Sequence, residues 1–262
     1  TTIKKIWKKI KEWLKKLIYN LAVFFTPTEK LVSKYKDEIY YLFHMNAKKI
    51  TVNSCVYRYR PEAFDGDLNN MIDQSRDTIA KELPYNIDEG QYLSMFGNRY
   101  GNASGTFHQL VDNKENMNVI IENVKEMAVK SIIYDPEIKN RTLGDAINGR
   151  SFKYALIGKE HIKRIKEATK NLDETFKDII HSIENDKDKY INDSGEDSED
   201  MINKTKQWYD KKIKWVKAMS VIATTYVNTY IVELKKLNRF VFSLVKRLLK
   251  TVNPKDIDTK KL

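Results

Sequence analysis

The chain contains little of what disulfides, tight turns and membrane spans require. It has one cysteine, Cys55, with nine glycines and five prolines among 262 residues. A single cysteine excludes a disulfide within the chain and fits a reducing compartment. So few turn-forming residues argue against an all-β fold or an enzyme fold with many loops. The longest uncharged run near the C-terminus, Ala218 to Val232, has 15 residues, and a membrane span needs roughly 18 or more.

The first 25 residues also lack the pattern of a secretory signal peptide. Lysines interrupt their apolar positions, and no small-residue cleavage site follows Phe25. We therefore expect a protein that is not secreted. Its expected location is the cytoplasm or a virion or similar assembly, with peripheral membrane binding as an alternative.

Charge is distributed unevenly along the chain, which has a formal net charge of +11. Residues 1–25 carry +6, residues 201–252 carry +10, and residues 26–200 carry −6. Two basic segments separated by an acidic body predict surfaces that seek an anionic partner. Part of this charge reflects codon usage, because 38 of the 47 cations are lysine, as in an AT-rich genome.

Apolar periodicity predicts a mainly α fold with an amphipathic N-terminal helix, a smaller mixed helical body and a long antiparallel C-terminal helical hairpin. Pro27, between Thr26 and Thr28, is predicted to stop the first helix. Residues 50–60 are predicted to form a strand, and residues 134–158 to be rich in loops. The predicted segments are the basic helix at 1–25, the body at 28–157, the hairpin at 159–252 and a tail at 253–262.

The second helix of the predicted hairpin is longer than the first by some 20 residues. Its apolar stripe continues from about Phe240 to Val252, so this end needs another partner. The alternatives are the N-terminal helix, another subunit or a surface that is not protein. If the two basic helices packed directly on each other, their like charges would repel. The unpaired apolar length predicts a homo-oligomer or a larger assembly.

The two basic helices are the strongest candidates for a binding surface, either on lipid headgroups or on nucleic acid. The competing interpretation is a coiled-coil stripe whose charged face is merely solvated. Membrane docking would bury the two N-terminal tryptophans in lipid. The predicted anionic-surface contacts are Lys4, Lys5, Trp7, Lys8, Lys9, Lys11, Trp13, Lys15, Lys16, Arg239, Lys246, Arg247 and Lys250.

Alternating basic and aromatic residues in the predicted strand are a second candidate. Tyr57, Arg58, Tyr59 and Arg60 resemble a strand that stacks on nucleic-acid bases, although an ordinary exposed strand explains the same alternation.

Other motifs carry weaker signals. Glu137 and Lys139 have the Glu-x-Lys spacing of metal-dependent nucleases, but no partner acid precedes them on a strand. The glycine-rich stretch 97–105 matches no phosphate-binding fingerprint, and we interpret it as a loop. The four histidines and Cys55 lack zinc spacing. We predict no metal, cofactor or small-molecule substrate.

The functional expectation is a non-enzymatic structural or assembly protein that uses basic amphipathic helices to contact an anionic surface or neighbouring subunits. Long lysine-rich helices and an acidic hinge suit a component of a phage particle or mobile element. The alternative is a nucleic-acid-binding protein, and a metal-dependent nuclease is a distant alternative.

Overall fold

The computed structural model describes residues 2–64, 66–69, 114–156, 158–193 and 199–251. The predicted glycine-rich loop at 97–105 and the tail at 253–262 lie outside these residues. The described chain is mainly helical with a small two-stranded sheet, as predicted. Its elements are α1 (Thr2–Lys34), α2 (Lys36–Asn46), β1 (Thr51–Tyr57), α3 (Lys114–Lys130), β2 (Ile133–Thr142), α4 (Leu143–Ala146), α5 (Gly149–Leu156), α6 (Gly158–Asp193) and α7 (Glu199–Thr251).

The chain forms two compact units, and each is assembled from three separate stretches. Each of the long helices α1, α6 and α7 contributes residues to both units. Among the described helices, none combines the length and the apolar composition that crossing a membrane requires. The first unit comprises Thr1–Lys15, Gly66–Glu126 and Glu167–Tyr226, and the second comprises Lys16–Asp65, Met127–Lys166 and Val227–Leu262.

The predicted hairpin is formed by α6 and α7, which are antiparallel. Near the closed end of the hairpin, Lys187 Nζ on α6 lies 4.8 Å from the Tyr209 ring centroid on α7. The apolar stripes predicted from the sequence are buried, and removing such side chains from water is the main favourable term in folding. On α6 the buried stripe includes Ile165, Leu172, Phe176, Ile179 and Ile183, and on α7 it includes Ile213, Val216, Val227, Leu234, Leu237, Val241, Leu244 and Leu248.

Helix α1 continues through Pro27, so the predicted break at this residue is wrong. Proline cannot donate the hydrogen bond that the carbonyl group four residues earlier would accept. That carbonyl belongs to Val23, which is 59% exposed, so water can reach it. On the opposite side, Phe25 and Thr28 are buried next to the proline. Burial of Phe25 before the proline and of Thr28 after it therefore keeps the helix continuous where this hydrogen bond is missing.

Strand β2 occupies part of the region predicted to be loop-rich. It pairs antiparallel with β1, with Ser54 opposite Lys139 and Val56 opposite Asp135. Two residues advance on β1 while four advance on β2, so β2 contains a bulge. Pro136 lies in this bulge, where a ladder hydrogen bond is not required. The proline that suggested a loop is therefore compatible with the strand.

The C-terminal end of α7 is covered within the second unit. The rings of Tyr57 on β1 and Phe240 on α7 lie 5.2 Å apart. Arg247 Nη1 donates a hydrogen bond of 3.4 Å to the Thr51 carbonyl oxygen on β1. The apolar side chains of this end, including Val241, Leu244 and Leu248, are buried, and β1 contacts the end at Phe240 and Arg247. A contact with β1 was not among the predicted alternatives.

We predict that Pro27→Ala stabilises the protein, because alanine restores the hydrogen bond to Val23 and has the higher helix propensity. The free energy of unfolding in a urea titration should rise by about 1–3 kcal/mol. Asn20→Ala, at an exposed position of the same helix, is the control and should change it by less than about 1 kcal/mol. A loss of stability in Pro27→Ala would show that the packing of Phe25 and Thr28 requires the proline.

Candidate anion-binding surfaces and a buried histidine

In the first unit, the apolar face of α1 is committed to the protein core. Ile3, Ile10 and Leu14 are between 0% and 5% exposed. The Trp7 indole Nε1 donates a hydrogen bond of 2.8 Å to Asp173 Oδ1 on α6. Lys4 Nζ lies 3.2 Å from Glu184 Oε2, also on α6. This end of α1 therefore lies against α6, and the acidic residues of α6 offset part of its positive charge.

The two N-terminal tryptophans are half-buried, unlike side chains that are free to enter a lipid layer. Lys11 Nζ lies 5.1 Å from the centroid of the Trp7 ring, and this lysine covers the ring further. The predicted lysine contacts of α1 are all exposed, and those in the first unit are Lys4, Lys5, Lys8, Lys9, Lys11 and Lys15. This helix thus presents charge to the solvent and keeps its apolar residues inside.

In the second unit, α1 and α7 pack directly, and the repulsion between their like charges does not keep them apart. Phe24 on α1 is contacted by two cations of α7, with its ring centroid 5.3 Å from Lys235 Nζ and 5.6 Å from Arg239 Cζ. An aromatic ring attracts cations through its negative face. Phe24 therefore makes this approach of the two helices favourable.

A second ring on α7 holds the next cation along the same helix. Lys246 Nζ lies 4.2 Å from the Phe242 ring centroid. Lys235, Arg239, Phe242 and Lys246 follow a spacing of four, three and four residues, which places them along one side of α7. We call these four residues the cationic stripe. Arg239 and Lys246 were predicted to contact an anionic surface, whereas Lys235 and the role of the two phenylalanines were not predicted.

The remaining predicted contacts of the second unit are less uniform. Lys16 and Lys250 are exposed. Arg247 is also exposed, but its hydrogen bond to Thr51 gives it a structural role at the β1 edge.

The tyrosines of the predicted base-stacking strand are buried, which contradicts their assignment as nucleic-acid contacts. Tyr57 is 6% exposed and Tyr59 is 2% exposed. Burial of the Tyr57 side chain raises the pKa of its phenol, which therefore stays protonated. Arg58 Cζ lies 4.1 Å from the centroid of Tyr134, a surface ring, and Arg60 is exposed. Burial alternates from Tyr57 to Arg60 with the aromatic side facing the core, but β1 ends at Tyr57, so the predicted strand is too long by the three residues that follow.

Tyr59 instead belongs to a buried polar cluster in the second unit. Its hydroxyl group lies 2.6 Å from His161 Nδ1, and the Tyr230 hydroxyl group donates to Tyr59 Oη at 3.4 Å. Burial lowers the pKa of His161 to about 4, and the nearby Arg164 charge acts in the same direction. The imidazole is neutral at physiological pH and shares a buried hydrogen bond with Tyr59 in the core.

The nuclease-like residues have charge partners that compete with a metal ion. Glu137 pairs with Lys139, and Asp135 pairs with Arg141. The backbone N–H of Glu137 donates to Asp135 Oδ1 at 2.9 Å, and this bond, together with Arg141, lowers the pKa of Asp135. Within the described residues, no three His, Cys, Asp or Glu side chains are grouped so that they would hold a metal ion. These residues stabilise the bulge of β2.

Comparisons with protein-family models, with curated proteins and with solved structures found no match to this chain.

We predict that His161 makes the protein less stable as the pH falls. The folded pKa of about 4 lies below the unfolded value of about 6.5, so the unfolded state binds more protons between these values. The free energy of unfolding should therefore decrease from pH 7.5 to pH 4.5, and His161 should contribute about 2–3 kcal/mol of that decrease.

Urea titrations at both pH values test this contribution. His161→Gln should remove it, whereas His181→Gln, at an exposed position of α6, should retain it. An equal pH dependence in the wild type and in His161→Gln would contradict the assignment.

Proposed function

We infer that this chain is a non-enzymatic helical structural or assembly protein whose exposed cationic helix faces contact an anionic surface. One observation carries the proposal: α1 buries its apolar face while its lysines stay exposed. A helix that served only to fill the core would not need this excess of one charge on its outer side. The proposed setting is the cytoplasm or the interior of a larger assembly.

The geometry favours contact through charge over insertion into lipid. An amphipathic helix that docks on a membrane places its apolar face between the headgroups and acyl chains. In α1 that face is occupied by packing, and Trp7 is hydrogen-bonded to Asp173. Nucleic acid is the second candidate partner, since phosphate-backbone binding requires only accessible cations. The burial of the apolar face of α1 supports this candidate too, because it leaves the cations accessible.

Association with a neighbouring subunit is part of this proposal, but it now rests on a different surface from the one that the sequence indicated. The C-terminal end of α7 no longer requires a partner outside the chain, because β1 packs against it. Two apolar side chains one helical turn apart on α1 are more relevant, since Tyr19 is 70% exposed and Val23 is 59% exposed. A small apolar patch of this kind, next to Lys16, suits a contact with another protein surface.

We predict that the protein binds polyanions with a steep dependence on salt and without moving its tryptophans into an apolar phase. Titration with duplex DNA and with vesicles of anionic lipid, from about 50 to 200 mM salt, should show affinity that falls by at least about tenfold. Tryptophan emission should not shift to shorter wavelength at saturation. Vesicles of neutral lipid are the control and should not bind.

Two results would contradict the proposal. Binding to anionic vesicles that persists in high salt with a blue shift of tryptophan emission would indicate lipid insertion. Absence of binding to both polyanions at low salt would indicate that the lysine faces are only solvated.

A further inference from the structure

The cationic stripe of α7 places three cations in a line on the second unit. At a rise of about 1.5 Å per residue, Lys235 and Arg239 are separated by about 6 Å along the helix axis, and Arg239 and Lys246 by about 10.5 Å. The stripe is therefore about 16.5 Å long. Arg239 and Lys246 are exposed and Lys235 is half-buried.

These cations differ from a neighbouring lysine in how they are held. Lys236 Nζ forms an ion pair of 2.7 Å with Glu233 Oε1. Within the described part of the chain, the three stripe cations have no carboxylate partner and lie against Phe24 and Phe242 instead. A ring restricts the position of a cation but leaves its charge uncompensated. Such a cation remains available to an external anion, and less side-chain freedom is lost on binding.

We propose that the cationic stripe, with Phe24 beneath its first two cations, binds the phosphate backbone of a nucleic acid. The inference rests on the proposed function, because it assumes that the exposed cations of the protein serve an anionic partner. Beyond the proposed function, it identifies the cations that form the principal contact and the class of partner that they bind. A nucleic-acid strand carries one phosphate per nucleotide, so a row of cations that lies along the strand can contact several phosphates at once.

The position of the rings distinguishes this partner from a membrane and from splayed bases. Phe24 and Phe242 are half-buried and have cations over them, so neither ring is presented for insertion into lipid or for stacking on a base. Contacts made by cations alone to phosphates fix the position of a protein on nucleic acid but carry no base sequence information. The stripe should therefore bind without sequence preference.

The test compares two variants with the same change in charge. The stripe variant is Lys235→Gln, Arg239→Gln, Lys246→Gln, and the control variant is Lys36→Gln, Lys48→Gln, Lys49→Gln, at exposed positions of the second unit outside the cationic stripe. With duplex DNA as the probe, the stripe variant should lower the slope of log affinity against log salt by about 2–3, since each phosphate contact contributes about 0.9. The control variant should lower the slope by less than about 1.

A charge-preserving variant separates loss of charge from loss of structure. Lys235→Arg, Arg239→Lys, Lys246→Arg should bind duplex DNA within about threefold of the wild type, because the phosphate contact depends mainly on charge. If this variant loses binding as the glutamine variant does, the stripe acts through folding and the proposal is overturned.

The remaining outcomes separate the two proposals. If the control variant weakens DNA binding as much as the stripe variant does, the stripe proposal fails while the proposed function stands. If the wild type binds anionic vesicles but not duplex DNA, the stripe proposal is overturned, while the proposed contact with an anionic surface stands. Failure of the wild type to bind either probe would overturn both.

Discussion

The burial of the apolar face of α1 is the constraint on which the rest of the account depends. In the first unit this face contains Ile3, Ile10 and Leu14, and in the second it continues with Leu21 and Phe25, all of them buried. Burying a side chain of this size contributes roughly 1.5–3 kcal/mol, so α1 is a large part of the core of each unit. A helix used in this way cannot also offer its apolar face to a membrane. Its predicted lysine contacts, by contrast, are exposed to solvent.

The basic helix α1 packs against its neighbours by two different means. In the first unit, acidic groups of α6 meet α1, through Trp7 with Asp173 and through Lys4 with Glu184. In the second unit, Phe24 lies between α1 and the cations of α7. The acidic groups neutralise charge, whereas the ring leaves it in place. This difference makes the second unit the better candidate for binding an anion.

Part of the fold follows from patterns that are local in the sequence. The heptad stripes predicted the two long C-terminal helices because spacings of three and four residues define one helical face. The same approach failed at Pro27 and at Pro136, because the effect of a proline depends on exposure and on bulges, which are tertiary features. Alternation from Tyr57 to Arg60 was recognised, yet alternation alone does not tell which side of a strand faces the core.

Other features depend on contacts between distant parts of the chain. Tyr59 and His161 are 102 residues apart in sequence, and Tyr59 and Tyr230 are 171 apart. No spacing rule connects them, so the buried cluster was not predictable. The cationic stripe was partly predictable, since Lys235, Arg239, Phe242 and Lys246 have a helical spacing. Phe24 was not, because it joins the stripe only through the packing of α1 on α7.

Native-state hydrogen exchange of the α1 amides tests the central claim most directly. If α1 is part of the core, the amides of residues 7–25 should exchange with opening free energies within about 1–2 kcal/mol of the global free energy of unfolding. The buried amides of α6 provide the reference within the same experiment. Opening of α1 at free energies several kcal/mol lower than those of α6 would contradict the account, because α1 would then be a detachable amphipathic arm.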